Sequence, residues 1–257
     1  MNIRALYRYP VKGLSAESLP SVDLQEAQGF PMDRAYAVTD GSLDFDEHRP
    51  VPAPKTQFLM LAKYEKLARL RTSFLEASKE LEVSVDGTSH RYGLANEADR
   101  ERLATFLQSF LGVPLPGTPR VVSAPGHQFT DVSVHSVALM RSISLINLDT
   151  VADLGKHLGK TLDPLRFRAN LYFEGTPAWS EMEWVGRHLT IGEVMLKVVR
   201  RTKRCAATSV DPVTGSRDTN LPLSLREYAD HGDLGVYAEV VRGGQIKPGD
   251  AIQLGGA

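Results

Sequence analysis

Short alternations of apolar and polar residues run along most of the chain and predict strands. Val22 and Leu24 alternate with polar neighbours, as do Tyr36 and Val38, which is the period-two pattern of a half-buried strand. Further strands are predicted where β-branched and aromatic residues concentrate. These segments are 67–74, 81–85, 90–94, 120–124, 134–140, 171–173, 188–191, 194–199, 235–241 and 246–254.

Two segments change to a helical period. Apolar residues from Leu103 to Leu111 fall at i, i+3, i+4, i+7 and i+8, with Asn96 as the predicted N-cap and Gly112 as the stop. A second helix is predicted over 144–158, and the proline-rich, charged segment 42–56 is predicted to be a surface loop. Many strands with few helices predict a mostly β (α+β) fold containing barrels or strongly curved sheets.

A Pro-Leu-Pro-Gly-Thr-Pro run interrupts both kinds of pattern at 114–119. We therefore place a domain division near residue 117, which gives domains 1–117 and 118–257. The 257 residues carry 42% apolar and 24% charged side chains, enough to form a core. The formal charge of −1 argues against a nucleic-acid-binding protein, because no overall basic field is available.

The chain shows no run of eighteen apolar residues and no apolar signal segment, so we predict a cytoplasmic protein without a membrane span. Its single cysteine, Cys205, cannot form an intrachain disulfide or hold an iron–sulfur cluster, which usually takes four thiolates. Any redox activity would thus draw its electrons from another protein. The seven histidines show no spacing typical of a zinc site.

Four cations lie within the five residues before Cys205, in the sequence Arg-Arg-Thr-Lys-Arg. Adjacent positive charge favours the thiolate, the form that attacks and binds metals. A lone cysteine is more often an inert buried residue, and this interpretation stays open. The loop that follows places Thr208 and Asp211 where they could face a polar heterocycle, although an ordinary Asp-Pro turn explains the same residues.

Arg166, Arg168 and Asn170 lie at the start of a predicted strand, in which Arg166 and Arg168 share a face because successive strand residues alternate. Two guanidinium groups on one face suit a phosphate or another planar anion, although the pair could equally be solvated. Near the N-terminus Lys12 and Arg34 add further positive charge, without a specific motif of their own.

Taken together, these segments resemble the MOSC family, named for the C-terminal domain of molybdenum cofactor sulfurase. The resemblance is to its longer form, which adds an N-terminal β-barrel domain and includes the amidoxime-reducing enzymes. The residues that carry it are Tyr9-Pro10-Val11-Lys12-Gly13, Gly29, Asp33-Arg34, Arg166-Phe167-Arg168-Ala169-Asn170, Glu181, Trp184, Ile191-Gly192-Glu193-Val194, Arg204-Cys205, Thr208, Val210-Asp211-Pro212, Thr214-Gly215, Gly235-Val236-Tyr237 and Gly249-Asp250.

The resemblance implies a β-barrel-like N-terminal domain packed on a β-barrel MOSC domain, with the molybdenum cofactor between them. It implies Cys205 as the metal ligand. Implied cofactor-binding residues are Lys12, Arg34, Arg166, Arg168, Asn170, Arg204 and Thr208. The family's serine after the lysine is Gly13 here, which offers only a backbone N–H, and the proline of its Arg-Phe-Arg-Pro-Asn pattern is Ala169.

Three functions remain open at this point. The first is an enzyme that reduces N-hydroxylated small molecules such as amidoximes or hydroxylamines. In it Cys205 and Asp211 would be the catalytic residues, with Asp211 a candidate proton relay. It would need an external electron-donor protein of reductase, ferredoxin or cytochrome type. The second is a carrier of the cofactor or of sulfur on Cys205, and the third is an anion-binding module with an incidental thiol.

Overall fold

The computed structural model describes residues 1–255, and the elements within that range are mainly short strands. The strands are β1 Asn2–Arg8, β2 Glu17–Leu19, β3 Val22–Leu24, β4 Tyr36–Val38, β5 Arg71–Leu75, β6 Glu80–Val85, β7 Thr88–Gly93, β8 Val121–Ser123, β9 Ile143–Asn147, β10 Leu171–Glu174, β11 His188–Ile191, β12 Val194–Lys203, β13 Asp233–Arg242, β14 Gly244–Ile246 and β15 Gln253–Leu254. The α-helices are α1 Glu97–Leu111, α2 Val137–Met140, α3 Leu148–His157 and α4 Leu221–Ala229.

The largest sheet has eight strands in the order β15-β11-β12-β13-β9-β10-β1-β2. Its neighbours are antiparallel except for β9 and β10, which run parallel. Along β12 the side chains of Val194, Leu196 and Val198 are fully buried and alternate with more exposed neighbours, because successive strand residues point to opposite faces. This inward row anchors the strand that leads to Cys205.

The two ends of the main sheet approach each other. An antiparallel bridge joins Asn2 of β1 to Ala251, just before β15, and Ile252 donates its N–H to the Met1 carbonyl at 2.8 Å. The predicted mostly β fold with few helices is confirmed. The described strands nevertheless form open sheets, with β15 and β2 at the edges of the largest one and no closed barrel.

A second layer is built from β5, β6 and β7, with α1 packed beside them. The predicted first helix is confirmed: the Asn96 side chain accepts from the Asp99 N–H, and Gly112 ends the helix in the left-handed region at φ 67°. That conformation favours glycine because no Cβ clashes with the backbone. Leu103 and Leu107 are fully buried on the apolar face.

The division near residue 117 stays a prediction. Strand pairing crosses it, since β1 pairs with β10, β3 with β14 and β4 with β8. Gly117 also donates its N–H to the Asp40 carbonyl at 3.2 Å, and it lies so close to Gly41 that a Cβ on either would meet backbone atoms. No helix within the described residues has both the length and the apolar character to cross a bilayer.

Several predicted elements were wrong. Residues 134–140, which were predicted to form a strand, instead form a turn followed by the short helix α2. The helix predicted over 144–158 begins only at Leu148, because Asn147 caps it by accepting from the Asp149 N–H, and the buried residues before it form β9. The helix α4 was not predicted. The predicted strand over 166–168 is a 3-10 turn, Pro164–Phe167, that ends at Arg168.

Candidate cofactor site

A cavity of about 360 Å³ lies between residues from the two ends of the chain, and its lining is strongly cationic. It carries only two carboxylates, Asp33 and Asp131. The lysines and arginines that line it are Lys12, Arg34, Lys55, Arg166, Arg168, Arg200, Arg201, Lys203 and Arg204. Of the site residues predicted from sequence, all but Asp211 lie in this lining.

Cys205 lies on the cavity wall, two residues after the end of β12. It begins the 3-10 turn Ala206–Ser209, and its carbonyl accepts hydrogen bonds from the Thr208 N–H at 3.0 Å and the Thr208 hydroxyl at 2.9 Å. These bonds fix the backbone that presents the half-buried thiol. The Thr208 hydroxyl proton is thereby used, so toward a ligand this oxygen can only accept.

Arg34 and Arg168 lie together beside the Tyr9 ring. Arg34 Nη2 donates to the Arg168 carbonyl at 2.8 Å, and the two guanidinium carbons lie 4.6 and 4.3 Å from the centre of the Tyr9 ring. Arg168 has a left-handed backbone (φ 53°) and donates Nη1 to the Leu14 carbonyl at 2.7 Å. Burial, helped by the charge of Arg34, lowers the pKa of Arg168 to about 10.

Arg204 is held by backbone carbonyls. Its Nε donates to the Leu234 carbonyl at 2.7 Å and its Nη1 to the Phe167 carbonyl at 2.9 Å, and burial lowers its pKa. Neither Arg168 nor Arg204 has a carboxylate partner among residues 1–255. Partly buried cations without counter-charge are costly unless something neutralises them. Their placement around one cavity therefore fits an anionic ligand.

Arg166 and Asp211 are placed differently. The buried Arg166 guanidinium donates to the Asp211 carboxylate at 2.8 Å and to the Asp218 carboxylate at 2.8 and 2.9 Å, so its terminal nitrogens are already paired. Asp211 also accepts from the backbone N–H groups of Val213 and Thr214. Burial raises the pKa of Asp211, but the donors of Thr214 and Val213 outweigh it and lower that pKa. Since the segment is a 3-10 turn, the shared strand face predicted for Arg166 and Arg168 was wrong.

Lys12 was predicted from the sequence, but its partner Asp131 and the second lysine, Lys55, were not. The buried Lys12 ammonium donates to the Phe129 carbonyl at 2.9 Å and to the Asp131 carboxylate at 2.5 Å, and Lys55 donates to the same carboxylate at 2.9 Å. Burial lowers the pKa of Lys55, but the Asp131 carboxylate and the Cys205 thiol outweigh it and raise that pKa. Lys55 lies at the end of the predicted proline-rich loop 42–56, and this position in a loop is the one feature of the sequence that could have indicated a functional role for it.

Two polar side chains complete the wall. Asn170 accepts from the Ser144 N–H at 3.1 Å through Oδ1 and donates to the Tyr7 carbonyl at 3.3 Å, so it ties β1 to the start of β9. The Thr202 hydroxyl lines the cavity, is buried, and has no hydrogen-bond partner among the described residues. An orphaned hydroxyl at a cavity wall is consistent with a ligand partner.

The chain belongs to the MOSC family. Residues 132–253 match the MOSC domain, and residues 1–114 match the MOSC N-terminal beta barrel domain. All nine predicted site residues lie within the two matched ranges, and eight of them, all but Asp211, line the cavity.

Curated relatives match less than half of the chain. Over 117 residues it is 32% identical to a molybdenum cofactor sulfurase of Caenorhabditis briggsae, a match that covers 44% of this chain and 16% of the relative. Identity to human mitochondrial amidoxime-reducing component 1 is 34%, over 41% of this chain and 34% of the relative. A Bacillus subtilis YUAD protein structure aligns at TM-score 0.44 and 12% identity, over 100% of this chain and 96% of that one.

Proposed function

We propose that the cationic cavity binds the molybdenum cofactor and that the protein is an oxidoreductase of N-hydroxylated small molecules. The observation that carries the proposal is the position of the only thiol, Cys205, on the wall of a cavity where Arg168 and Arg204 have no carboxylate partner among the described residues. Soft thiolates suit a metal in a sulfur-rich environment. In this proposal Cys205 supplies the protein ligand to molybdenum.

The lining fits a cofactor that carries a phosphate and a planar heterocycle. A volume of about 360 Å³ falls within the range of small-molecule sites. The Arg168 guanidinium, of which only Nη1 has a hydrogen-bond partner among the described residues, offers fixed donors to a phosphate, and Gly13 offers its backbone N–H. Arg34 binds the Asp33 carboxylate through Nη1 and the Arg168 carbonyl through Nη2, so its main contribution is positive charge. Arg166 is a weaker candidate than these, because both of its terminal nitrogens already bind carboxylates.

When bound, the cofactor would supply the two-electron oxygen-atom chemistry, and the protein would position the substrate and neutralise charge. Reduction of an N–OH group to N–H consumes two electrons and two protons and releases water. With a single cysteine, the chain has too few thiolates for an iron–sulfur cluster of its own. The electrons would come from a separate reductase, ferredoxin or cytochrome.

Asp211 has no direct contact with the cavity through which it could relay a proton, because its carboxylate lies outside the cavity lining and accepts four hydrogen bonds from the protein. Its lowered pKa makes it a better hydrogen-bond acceptor than proton donor near neutral pH. We therefore assign it first to the positioning of Arg166.

A carrier of cofactor or sulfur is the second candidate. The observation in its favour is that the Cys205 side chain is partly open to solvent, so a sulfur donor can reach it. The similarity to the C. briggsae molybdenum cofactor sulfurase also supports a carrier function, over a match that covers 16% of that protein. A carrier would hold labile sulfur on Cys205 and would not turn over N-hydroxylated compounds.

Metal analysis of protein from a host that makes the cofactor separates these functions. The enzyme proposal expects about one molybdenum per chain in the wild type, and one fewer sulfur neighbour at the metal by X-ray absorption in Cys205→Ser. Ala206→Ser, a change at the exposed next residue, is the matched control and should behave as wild type. Molybdenum absent from both wild type and Cys205→Ser would defeat the proposal, and a persulfide on Cys205 without turnover would establish the carrier.

A further inference from the structure

A second cavity of about 180 Å³ adjoins the cationic one, and its lining is mainly apolar. Its side chains come from both ends of the chain, among them Leu14, Ala16, Leu61, Leu165 and Val210. Leu14 and Val210 are 2% exposed in the protein, so this surface is a built interior face.

The two cavities share their dividing wall. Arg168 lines both and is fixed there by its bond to the Leu14 carbonyl, while Gly13 and Leu61 line both from the N-terminal side. Ala207 also borders both cavities and lies two residues after Cys205. The apolar cavity is therefore a direct neighbour of the thiol-bearing turn.

Several polar groups around the apolar cavity are already paired, whereas the buried Nε of Arg166 has no hydrogen-bond partner among the described residues. Asp163 accepts from the Leu165 N–H at 2.8 Å. Arg71 donates to the Ala68 carbonyl at 2.7 Å and to the Val213 carbonyl at 3.4 Å, which places its guanidinium across the gap between the two ends of the chain. A bound group would find mainly hydrocarbon contacts here, and a cavity of about 150 Å³ with such a lining is large enough for benzene.

We propose that this second cavity is the substrate subsite, which takes an aromatic ring or a compact branched aliphatic group and leaves the polar head at the cationic side. The N-hydroxylated identity of that head rests on the function proposed above. The preference for a ring-sized apolar substituent rests on the cavity alone. The protein is thereby assigned aryl or branched-alkyl N-hydroxylated substrates over those with a small substituent.

The test uses molybdenum-free protein, so that binding is measured without turnover. Benzamidoxime and acetamidoxime share one head group and differ in the ring, and their affinities can be compared by NMR titration. Filling a pocket that holds such a group should weaken binding by roughly tenfold or more. Ala16→Phe fills the apolar cavity, and Ala77→Phe, in the exposed turn between β5 and β6, is the matched control.

We expect benzamidoxime to bind wild type and Ala77→Phe at least about tenfold more tightly than Ala16→Phe, and acetamidoxime to bind all three weakly. Equal affinities for the two amidoximes, or an Ala16→Phe variant that binds benzamidoxime as wild type does, would overturn the assignment. If Ala16→Phe fails to fold, contacts between the ring protons and the methyl groups of Leu14, Leu165 and Val210 decide on the wild type, and their absence rejects the subsite.

The two proposals fail in different measurements. If the enzyme proposal is wrong, the protein will lack molybdenum or turnover, while benzamidoxime still binds the metal-free protein. Loss of the subsite would appear as equal affinities for both amidoximes in a protein that still carries molybdenum and reduces them.

Discussion

The ammonium group of Lys12 donates a 2.5 Å hydrogen bond to the carboxylate of Asp131, a residue 119 positions later in the chain. The Lys12 side chain is only 8% exposed, so this is a mostly desolvated cation. The Asp131 side chain is 43% exposed and also accepts from Lys55. One carboxylate thus binds two lysines in the wall of the cationic cavity and ties the N-terminal part of the chain to its middle.

Replacement of Asp131 should reveal the cost of leaving Lys12 without its partner. We expect Asp131→Asn to lower the free energy of unfolding by about 1 to 3 kcal/mol, because a buried cation would lose its charged acceptor. Lys12→Met should cost less, since Asp131 can still bind Lys55 and water. Urea unfolding of the metal-free variants measures both, and a double variant whose loss is simply the sum of the two would contradict the coupling.

The Asp131 carboxylate should also make part of the free energy of unfolding sensitive to acid. Burial raises the pKa of Asp131, but Lys12 and Lys55 outweigh it and hold that pKa well below its ordinary range. A carboxyl group with a depressed folded-state pKa stabilises the fold above the unfolded value of about 3.9. This contribution should be lost as the pH falls from about 5 toward 2, more steeply in wild type than in Asp131→Asn. Parallel stability curves for the two proteins would reject this assignment.

Arg168 should control how firmly the cofactor is held. Arg168→Gln removes a charge that has no carboxylate partner within residues 1–255 and keeps a donor for the Leu14 carbonyl, so we expect retained pterin per chain to fall roughly tenfold. Fluorescence of the oxidised pterin after extraction measures this. Arg226→Gln, on the exposed side of α4, is the control and should retain the wild-type amount. A normal pterin content in Arg168→Gln would remove this residue from the proposed site.

Glu181 offers a test in the core, away from the cavity lining. It is fully buried, its Oε2 accepts from the Thr150 hydroxyl at 2.9 Å and the Asn147 amide at 3.1 Å, and its Oε1 has no partner within the described residues. Burial raises the pKa of Glu181. Because the folded state then binds its proton more tightly than the unfolded state, this residue makes stability decline as pH rises above the unfolded value of about 4.3.

Glu181→Gln should remove that decline, because an amide does not titrate. We expect the stability of the variant, measured by urea unfolding between about pH 4 and 8, to fall less with rising pH than that of the wild type. Identical pH dependence in both proteins would show that the carboxyl group has the same pKa in both states.

Local patterns in the sequence predicted much of the fold. The β-branched segment 194–199 and the capped apolar stripe of α1 are properties of neighbouring residues, and the strand and helix predicted from them were confirmed. The segment from Arg166 to Arg168 was misread because its turn is set by the residues before it. Asp163 accepts from the Leu165 N–H and Pro164 fixes the first turn position, a start signal that the strand prediction overlooked.

Cavity residues that are neighbours in the sequence could be predicted, whereas those brought together only by folding could not. Cys205 and its cationic neighbours are consecutive, so their chemistry could be anticipated from the chain itself. Asp131 meets Lys55 across 76 residues and Lys12 across 119, and only the folded chain brings them together. The apolar cavity beside Arg168 was likewise invisible, since its walls combine residues near position 14 with residues near position 210.

The pairing of β1 with β10 limits how this protein can be dissected. Residues 2–8 and 17–19 supply two strands of the sheet, and its other strands begin at residue 143 or later. A fragment that starts at the proline-rich run 114–119 would expose the unpaired backbone of β10 as a free edge, which favours aggregation. Removal of the N-terminal residues would therefore first destabilise the sheet formed by the C-terminal half of the chain. The shortest fragment able to fold must keep β1 and β2.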